Sequence, residues 1–211
     1  MIAETLRGAR TAALRIAGPF DWIWRHARGG GRERLPPLWL RRHTGPVRDF
    51  ERSAGAMVEL LRELGLLPVT GTVLDAGCGA GAMAAALAGS LGDAGRYVGF
   101  DVHAASIRWC RQRFASDPRF RFELAAVASP YGSSRGVPVT GYGFPTEDGG
   151  ATLVLAKSLF THLEREDAAH YLREIRRVLR PGSPALVTAF LFDPTSAALE
   201  AVRREFPHED A

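Results

Sequence analysis

Apolar and polar positions along this chain follow two different periods that alternate in blocks. Short apolar runs, typical of buried strands, occur at residues 72–76, 96–101, 119–124, 152–157 and 185–191. Segments with the 3.6-residue spacing of amphipathic helices separate or flank them, at residues 50–64, 81–91, 104–115, 164–179 and 195–205. Alternation of this kind predicts an α/β fold in which helices cover a parallel sheet.

A glycine-rich turn joins the first predicted strand to the helix that follows it. The chain there reads Thr72-Val-Leu-Asp-Ala-Gly-Cys-Gly-Ala-Gly81. Because glycine lacks a Cβ atom, the three glycines permit positive φ and let a ligand approach the main chain closely. Asp101 ends the next predicted strand, where its carboxylate suits the two hydroxyls of a ribose. Together the turn and Asp101 predict a nucleoside-cofactor site.

The glycine spacing and one acidic residue narrow the choice of cofactor. Nicotinamide dinucleotide sites use the spacing G-x-G-x-x-G and place a pyrophosphate at the helix N-terminus. Here the spacing is G-x-G-x-G, and Asp75 precedes the first glycine by two positions. A carboxylate at the mouth of the loop would repel a pyrophosphate but attract an α-ammonium group, directly or through water. The pattern therefore favours a nucleoside that carries an amino acid over a nicotinamide dinucleotide.

Four further motifs accompany the glycine loop: Tyr97-Val-Gly-Phe-Asp101, Ser106-Ile-Arg-Trp-Cys110, Ser158-Leu-Phe-Thr-His-Leu163 and Arg176-Arg-Val-Leu-Arg-Pro-Gly182. With these motifs the chain resembles the class I S-adenosylmethionine-dependent methyltransferases, and Val73 to Gly81 resembles their motif I. The resemblance implies a Rossmann-like, doubly wound, mostly parallel sheet of order 3-2-1-4-5. It also implies that S-adenosylmethionine binds over the carboxyl ends of strands 1 and 2.

The end of strand 3 departs from the family pattern. Family members commonly have an acidic residue there that binds the adenine amino group, whereas this chain has Ala125 and Ala126, whose backbone groups would replace it. Strand 4 opens with Ala151-Thr152 where Phe-Asp is common. Neither change touches the glycine loop. The cofactor-binding residues we expect are Asp75, Ala76, Gly77, Cys78, Gly79, Gly81, Asp101, Val102, Ala125, Ala126 and Lys157.

Two titratable residues follow predicted strand 4, at the edge that would face a ligand. Lys157, the one lysine of the chain, either contacts the cofactor carboxylate or an acidic substrate, or pairs with Glu164 or Glu166. His162 is the candidate general base, since imidazole titrates near neutral pH; a structural hydrogen-bonding role is the alternative. A sulfonium already makes its methyl carbon electrophilic, so positioning alone can suffice.

The segment 128–150 contains six glycines and three prolines and shows no helical pattern. Loops of this length in compact domains are usually functional or disordered, and we expect a lid. Three aromatic residues in it either line a substrate pocket or anchor the loop on the sheet: Tyr131, Tyr142 and Phe144.

Positive charge is concentrated near the N-terminus. The first 50 residues hold ten arginines against four acidic residues, and the remainder is nearly neutral. We divide the chain into a basic N-terminal segment, residues 1–45, and an S-adenosylmethionine-binding domain, residues 46–211. Helical spacing of apolar residues between Leu6 and Ile16 favours a cap packed on the domain, with peripheral contact to an anionic membrane surface or a polyanion as the alternative.

The composition and the absence of further motifs narrow the function. A nearly neutral domain without the motifs of nucleic-acid methyltransferases favours a small-molecule or glycan-like acceptor and no nucleic acid. We expect no metal, because no metal-ligand pattern occurs. Two cysteines, no secretory signal and no membrane span indicate a cytoplasmic protein with reduced thiols.

The pattern after strand 5 leaves two functions open. The family adds a terminal antiparallel hairpin, which is missing here, so we expect a shortened variant, a truncated product or a sheet completed by a partner subunit. The first function is methyl transfer. The alternative is a catalytically silent S-adenosylmethionine-binding partner or regulator. An oligomer is compatible with both.

Overall fold

Five strands form one sheet in the computed structural model, which describes Asp21 and residues 35–41, 50–67 and 69–189. The strands are β1 (Gly71–Ala76), β2 (Gly95–Asp101), β3 (Phe120–Leu124), β4 (Leu153–Ala156) and β5 (Ala185–Val187). Their order is β3-β2-β1-β4-β5, and all four neighbouring pairs are parallel. The predicted Rossmann-like sheet order is confirmed. The carboxyl ends of all five strands therefore share one edge, which we call the carboxyl edge.

Helices connect these strands and cover the sheet. They are α1 (Leu38–Arg41), α2 (Phe50–Glu63), α3 (Ala82–Leu87), α4 (Ala104–Arg113) and α5 (Arg165–Val178). Two short 3-10 helices lie at Val139–Gly141 and Phe160–His162. In α5, Tyr171, Ile175 and Val178 are buried while Arg173 and Arg176 are exposed, so its apolar stripe faces the sheet as the pattern predicts.

The sheet is buried on both faces, which explains why its strands are continuous apolar runs. Side chains of one strand alternate between the faces. Val73 and Tyr97 point to the face that packs on α2, α3 and α4. Leu74 and Val98 point to the opposite face, which packs on α5. The carboxyl edge thus belongs to a sheet that is buried on both faces.

Several predicted elements differ in extent from the structure. The helix predicted at 81–91 ends at Leu87, since Gly89 is a poor helix former and lies in the turn that follows. The strand predicted at 185–191 ends at Val187, and the described residues after it are not in a strand. A 3-10 helix occurs at Val139–Gly141, where no helix is predicted. The helix predicted at 195–205 lies outside the described residues.

Part of the basic N-terminal segment packs on the domain. The Arg41 guanidinium forms a buried ion pair with Asp21, with a nitrogen-to-oxygen distance of 2.5 Å. Leu40 packs with Phe50 and with Ala80 of the glycine loop. This segment therefore contacts the domain close to the predicted site. The helix predicted between Leu6 and Ile16 and the predicted domain boundary lie outside the described residues.

Candidate functional site

The glycine loop after β1 forms a tight turn at the carboxyl edge. Gly77, Gly79 and Gly81 have φ angles of +73°, +52° and +81°, in the left-handed region that glycine adopts most readily. The backbone N–H groups of Gly77 and Cys78 donate hydrogen bonds to the carbonyl of Phe100 in β2, at 2.9 and 3.0 Å. These bonds hold the loop against the end of β2.

Neighbouring elements pack closely on this loop, so that a side chain would clash at Gly81 and would be tight at Gly77. A Cβ atom on Gly81 would lie 2.9 Å from the Cys110 sulfur in α4. One on Gly77 would lie 3.3 Å from the Leu159 side chain, which follows β4. Space and backbone conformation therefore both require glycine at Gly81 and favour it at Gly77.

Asp101 lies at the end of β2, partly buried and directly against the glycine loop. Its two carboxylate oxygens accept hydrogen bonds from the backbone N–H groups of Gly79, at 2.8 Å, and of His103, at 2.7 Å. Burial raises the pKa of Asp101, and these two hydrogen bonds oppose that rise. Each oxygen keeps a second lone pair, so the fixed carboxylate can also accept hydrogen bonds from ribose hydroxyls.

Asp75 lies beneath the glycine loop rather than open at its mouth. It is only 2% exposed, because β1 is a central strand and helices cover this face of the sheet. The Tyr97 hydroxyl of β2 donates a hydrogen bond to its carboxylate. Burial raises the pKa of Asp75 to about 7, although the Tyr97 hydrogen bond and the charge of Lys157 lower it and the charge of Asp101 raises it. This carboxyl group therefore titrates near neutral pH.

The residues expected near adenine lie together beside Asp101. Ala125 is buried, and its N–H donates a hydrogen bond to the Asp101 carbonyl at 3.0 Å. Ala126 is exposed, and its carbonyl accepts a hydrogen bond from the Val137 N–H at 2.9 Å. Val102 follows Asp101 and is partly buried. The adenine contacts of these backbone groups stay a prediction.

The segment 128–137, which we call the edge loop, lies across the carboxyl edge. A Cβ atom on Gly132 would lie 2.5 Å from the Val102 carbonyl oxygen, so the main chain of the loop rests on the residue after Asp101. Further along the edge, the Tyr131 hydroxyl lies 3.1 Å from Nδ1 of His162. The edge loop leaves β3 and contacts residues that follow β2 and β4, and β1 lies between those two strands. Its contacts therefore lie on both sides of the strand that carries the glycine loop.

Two of the three aromatic residues in the glycine-rich segment anchor it on the sheet. Phe144 is buried, with its ring centroid 4.7 Å from that of Phe100 and 4.9 Å from that of Tyr171. The Tyr142 ring centroid lies 5.6 Å from that of Phe100. Tyr131, by contrast, is 51% exposed at the carboxyl edge. Of the two alternatives, anchoring describes Tyr142 and Phe144, and only Tyr131 is placed to line a pocket at this edge.

Lys157 follows β4 and lies partly buried at the carboxyl edge. Among the ion pairs of the described residues, none joins Lys157 to Glu164 or Glu166, whereas the charge of Lys157 lowers the pKa of Asp75. The next residue, Ser158, has a φ of +56°, and its N–H donates a 2.7 Å hydrogen bond to the Thr188 hydroxyl. Strained backbone of this kind costs on the order of 1–3 kcal/mol and is common at functional sites.

The two cysteines are buried free thiols: Cys78 lies within the glycine loop, and Cys110 lies in α4, which packs on the loop. The thiols of Cys78 and Cys110 lie 3.8 and 3.6 Å from the Gly79 carbonyl oxygen. Burial raises the pKa of both, so both stay protonated. Among the residues that the structure describes, no group of three acidic, histidine or cysteine side chains could hold a metal ion. Nor does that part of the chain contain a helix long and apolar enough to span a membrane.

The sequence analysis did not identify Tyr97 as a residue of this site. In the parallel register of β1 and β2, Asp75 lies opposite Gly99. A Cβ atom on Gly99 would lie 3.0 Å from the Tyr97 ring, so the ring lies over the glycine and its hydroxyl reaches Asp75. The signal in the sequence is the pair Tyr97-x-Gly99, an aromatic residue and a glycine on the same face of one strand.

The residues at the carboxyl edge fit a nucleoside that carries an amino acid. The glycine loop exposes main chain for close approach, and the Asp101 carboxylate can accept hydroxyl hydrogen bonds. Asp75 and Lys157 provide charges of opposite sign near the loop, which suit an ammonium and a carboxylate. The fold and this edge together define a Rossmann-like nucleoside-binding domain.

Comparison with known proteins identifies the family. The family described as "Methyltransferase domain" matches residues 73–182, just over half of the chain. The chain therefore belongs to this family. The match confirms the resemblance to S-adenosylmethionine-dependent methyltransferases, the enzyme class and the cofactor class expected from the sequence.

Solved structures share the fold at low sequence identity. A protein from Methanococcus maripaludis, provisionally assigned as an S-adenosyl-L-methionine-dependent methyltransferase, is 18% identical with a TM-score of 0.54; the match covers 80% of this chain and 71% of that one. Geranyl diphosphate C-methyltransferase from Streptomyces coelicolor A3(2) was solved with Mg²⁺, geranyl diphosphate and S-adenosyl-L-homocysteine. It is 18% identical with a TM-score of 0.55, and the match covers 80% of this chain and 58% of that one. A SAM-dependent methyltransferase from Aquifex aeolicus is 16% identical with a TM-score of 0.50, and the match covers 81% of this chain and 87% of that one. This chain thus spans a little over half the length of the Streptomyces enzyme.

Proposed function

We propose that this protein transfers a methyl group from S-adenosylmethionine to a small-molecule or glycan-like acceptor. The observation that carries the proposal is the Asp101 carboxylate, which the N–H groups of Gly79 and His103 fix beside the glycine loop. When bound, S-adenosylmethionine would supply an electrophilic methyl carbon on its sulfonium. The protein's own residues bind the cofactor, orient the acceptor and move a proton.

Different residues of the carboxyl edge contact different parts of the cofactor. Asp101 accepts hydrogen bonds from the ribose hydroxyls, and the main chain from Ala76 to Gly81, including Cys78, lies along the cofactor. Lys157 attracts its carboxylate, and the charge of Asp75 attracts its ammonium group. Val102, Ala125 and Ala126 border the adenine.

His162 is the proposed general base. It is exposed at the carboxyl edge, and its Nδ1 faces the Tyr131 hydroxyl, which restrains the imidazole ring. In the tautomer in which Nδ1–H donates to the Tyr131 oxygen, Nε2 is unprotonated and can take a proton from an acceptor hydroxyl or amine. An acceptor that is already deprotonated would need only alignment with the methyl group.

The edge loop supports a small acceptor. Its main chain rests on Val102 and its tip contacts His162, so it narrows access to the end of β1. The nearly neutral charge of residues 51–211 also offers no attraction for a polyanion.

Calorimetric titration with S-adenosylmethionine and S-adenosylhomocysteine tests the cofactor site. We expect Asp101→Ala to weaken binding by about one to two orders of magnitude, since hydrogen bonds to a charged acceptor are worth about 1.5–3 kcal/mol each. Lys157→Met should weaken binding by a smaller factor, because its contact is a single charge. Asp93→Ala is the matched control, since Asp93 is exposed before β2, at the opposite edge. Unchanged affinity of Asp101→Ala would contradict the site.

Turnover separates the two functions left open by the sequence. S-adenosylhomocysteine release is measured with a panel of small hydroxyl, amine and carbon acceptors. Release with at least one acceptor, lost in Asp101→Ala, supports methyl transfer. Cofactor binding without release on any acceptor, alone or with candidate partner proteins, would favour a silent binding or regulatory protein.

A further inference from the structure

A buried pair of titratable side chains lies directly beneath the glycine loop. Tyr97 and Asp75 are 0% and 2% exposed, on adjacent central strands, and the Tyr97 hydroxyl donates a hydrogen bond to the Asp75 carboxylate. Burial raises the pKa of the Tyr97 hydroxyl well above its usual range, so the hydroxyl stays protonated and remains a donor. Asp75, Tyr97 and Asp101 lie on the same face of the sheet.

The local packing brings the Tyr97 hydroxyl to the Asp75 carboxylate. Gly99 lies opposite Asp75 and provides the space over which the Tyr97 ring extends. The other titratable groups that act on or respond to Asp75 are the Cys78 and Cys110 thiols, Asp101 and Lys157. Both thiols are neutral. Among these groups, the Tyr97 hydroxyl is the one that donates a hydrogen bond to the Asp75 carboxylate, since both thiols face the Gly79 carbonyl oxygen.

We propose that Tyr97 is a positioning residue for the cofactor. Its hydroxyl favours the ionised form of the Asp75 carboxyl group beneath the glycine loop, and the negative charge of Asp75 attracts the cofactor's ammonium group. The affinity for the cofactor therefore rises with pH through the neutral range. This inference rests on the proposed cofactor site. It adds a residue and a pH response that the glycine loop and Asp101 do not by themselves supply.

The direction of the pH response follows from which form of Asp75 attracts an ammonium group. The pKa of Asp75 is about 7, and the Tyr97 hydrogen bond lowers it. Below that pH the carboxyl is neutral, and affinity falls by up to about tenfold for each pH unit. Above it the carboxylate is ionised and affinity levels off. Without the Tyr97 hydroxyl the pKa of Asp75 rises, and the whole profile moves to higher pH.

The test is calorimetric binding of S-adenosylhomocysteine between about pH 5.5 and 8.5 to the full chain and to Tyr97→Phe. We expect Tyr97→Phe to bind about tenfold more weakly at pH 6.5 and within about twofold of the unmodified protein at pH 8.5. Tyr171→Phe is the matched control, since Tyr171 is also buried but lies on the opposite face of the sheet. It should leave the profile unchanged. A purely structural defect would instead weaken binding equally at every pH.

Asp75→Asn identifies the titrating group, because the titratable residues Asp101 and His103 lie close to the same site. We expect this variant to bind weakly with a flat profile between about pH 5.5 and 7.5. A pH response that persists in Asp75→Asn, or a profile of Tyr97→Phe that coincides with that of the unmodified protein, overturns the inference and leaves the cofactor site standing. No binding by the unmodified protein at any pH overturns the proposed function and the inference with it.

Should Tyr97→Phe fail to fold, the carboxyl carbons of aspartate labelled with ¹³C are followed by NMR in the unmodified protein. The resonance that disappears in Asp75→Asn should titrate near pH 7 in the free protein. Saturation with S-adenosylhomocysteine should lower its midpoint, because an ammonium group favours the ionised form. A midpoint that does not move on binding contradicts the inference.

Discussion

Asp75 shows how a single residue can couple folding to the chemistry of the carboxyl edge. The central strand β1 buries its carboxyl group, and burial favours the neutral form. The Tyr97 hydroxyl and the Lys157 charge favour the ionised form. The opposing effects leave the pKa of Asp75 near 7, so small changes around it decide the charge beneath the glycine loop.

The same residue makes the stability of the free protein depend on pH. The pKa of Asp75 is about 7 in the folded chain and 3.8 ordinarily, so between these values the folded state binds the extra proton. The free energy of unfolding therefore falls as the pH rises from about 4 to about 7, by about 1.4 kcal/mol for each pKa unit of difference, and then levels off. Asp75→Asn should have a shallower slope.

Urea denaturation of the free protein at pH 5 and pH 8 measures this difference. The exposed Asp93 provides the control, because Asp93→Asn should keep the slope of the unmodified protein. The raised pKa of Asp101 contributes a slope of the same sign, which both variants retain. If Asp75→Asn lost as much stability between the two pH values as the unmodified protein, Asp75 would not be the group that titrates.

At the scale of elements, the edge loop contacts the carboxyl edge at two places. It is held by its own hydrogen bonds, such as that from the Ala128 N–H to the Val137 carbonyl at 3.0 Å. Its two outer contacts, Gly132 on Val102 and Tyr131 on His162, lie on either side of β1. We propose that a loop so placed covers the cofactor.

Gly132→Ala tests the placement of the edge loop. A Cβ atom there would lie 2.5 Å from the Val102 carbonyl oxygen, so the loop must move away from the site. We expect weaker S-adenosylhomocysteine binding by roughly three- to tenfold, with a melting temperature within a few degrees of the unmodified protein, because surface loops contribute little to global stability. Calorimetry and thermal denaturation give the two quantities.

The matched control for this substitution is Gly141→Ala in the same glycine-rich segment. Its Cβ atom would meet only the Val137 side chain, at 4.0 Å, an ordinary contact. Affinity should therefore be unchanged. Equal effects of the two substitutions on affinity, or no effect of Gly132→Ala, would show that the edge loop does not cover the cofactor.

Elements in which apolar residues recur at regular spacing could be predicted from the sequence, whereas the position of the edge loop could not. The runs that became β1 and β2 were predicted within one residue, because strands buried on both faces are continuously apolar. The helix after the glycine loop was predicted too long, since apolar residues continue past Gly89, where the helix has already ended. The edge loop has no period, and its position depends on contacts such as Tyr131 with His162, 31 residues away.

At the scale of the molecule, the sheet order brings distant parts of the chain to one edge. Asp101 ends β2, whereas Lys157 and His162 both follow β4, and the order β3-β2-β1-β4-β5 places them on either side of the end of β1. The rule that ligands bind at the carboxyl ends of parallel strands was sufficient to predict this grouping. The burial of Asp75 was not predictable in this way, because it depends on how α2, α3 and α4 cover the sheet.

The whole chain also limits which acceptors are compatible with it. Its positive charge lies in the N-terminal segment, while the domain that carries the glycine loop is nearly neutral. The edge loop narrows the opening at the carboxyl edge. Both properties support the proposed small acceptor, and we propose that the glycine loop and Asp101 bind the methyl donor.

A crystal structure of the protein with S-adenosylhomocysteine tests the proposed methyl-donor site most directly. We predict ribose hydroxyls within about 3.0 Å of the Asp101 carboxylate, the amino-acid group between the glycine loop and Lys157, and adenine beside Ala125. The edge loop should cover the nucleoside. A nucleoside bound elsewhere on the protein, or a carboxyl edge that stays free of the cofactor at saturating concentration, would contradict the proposal.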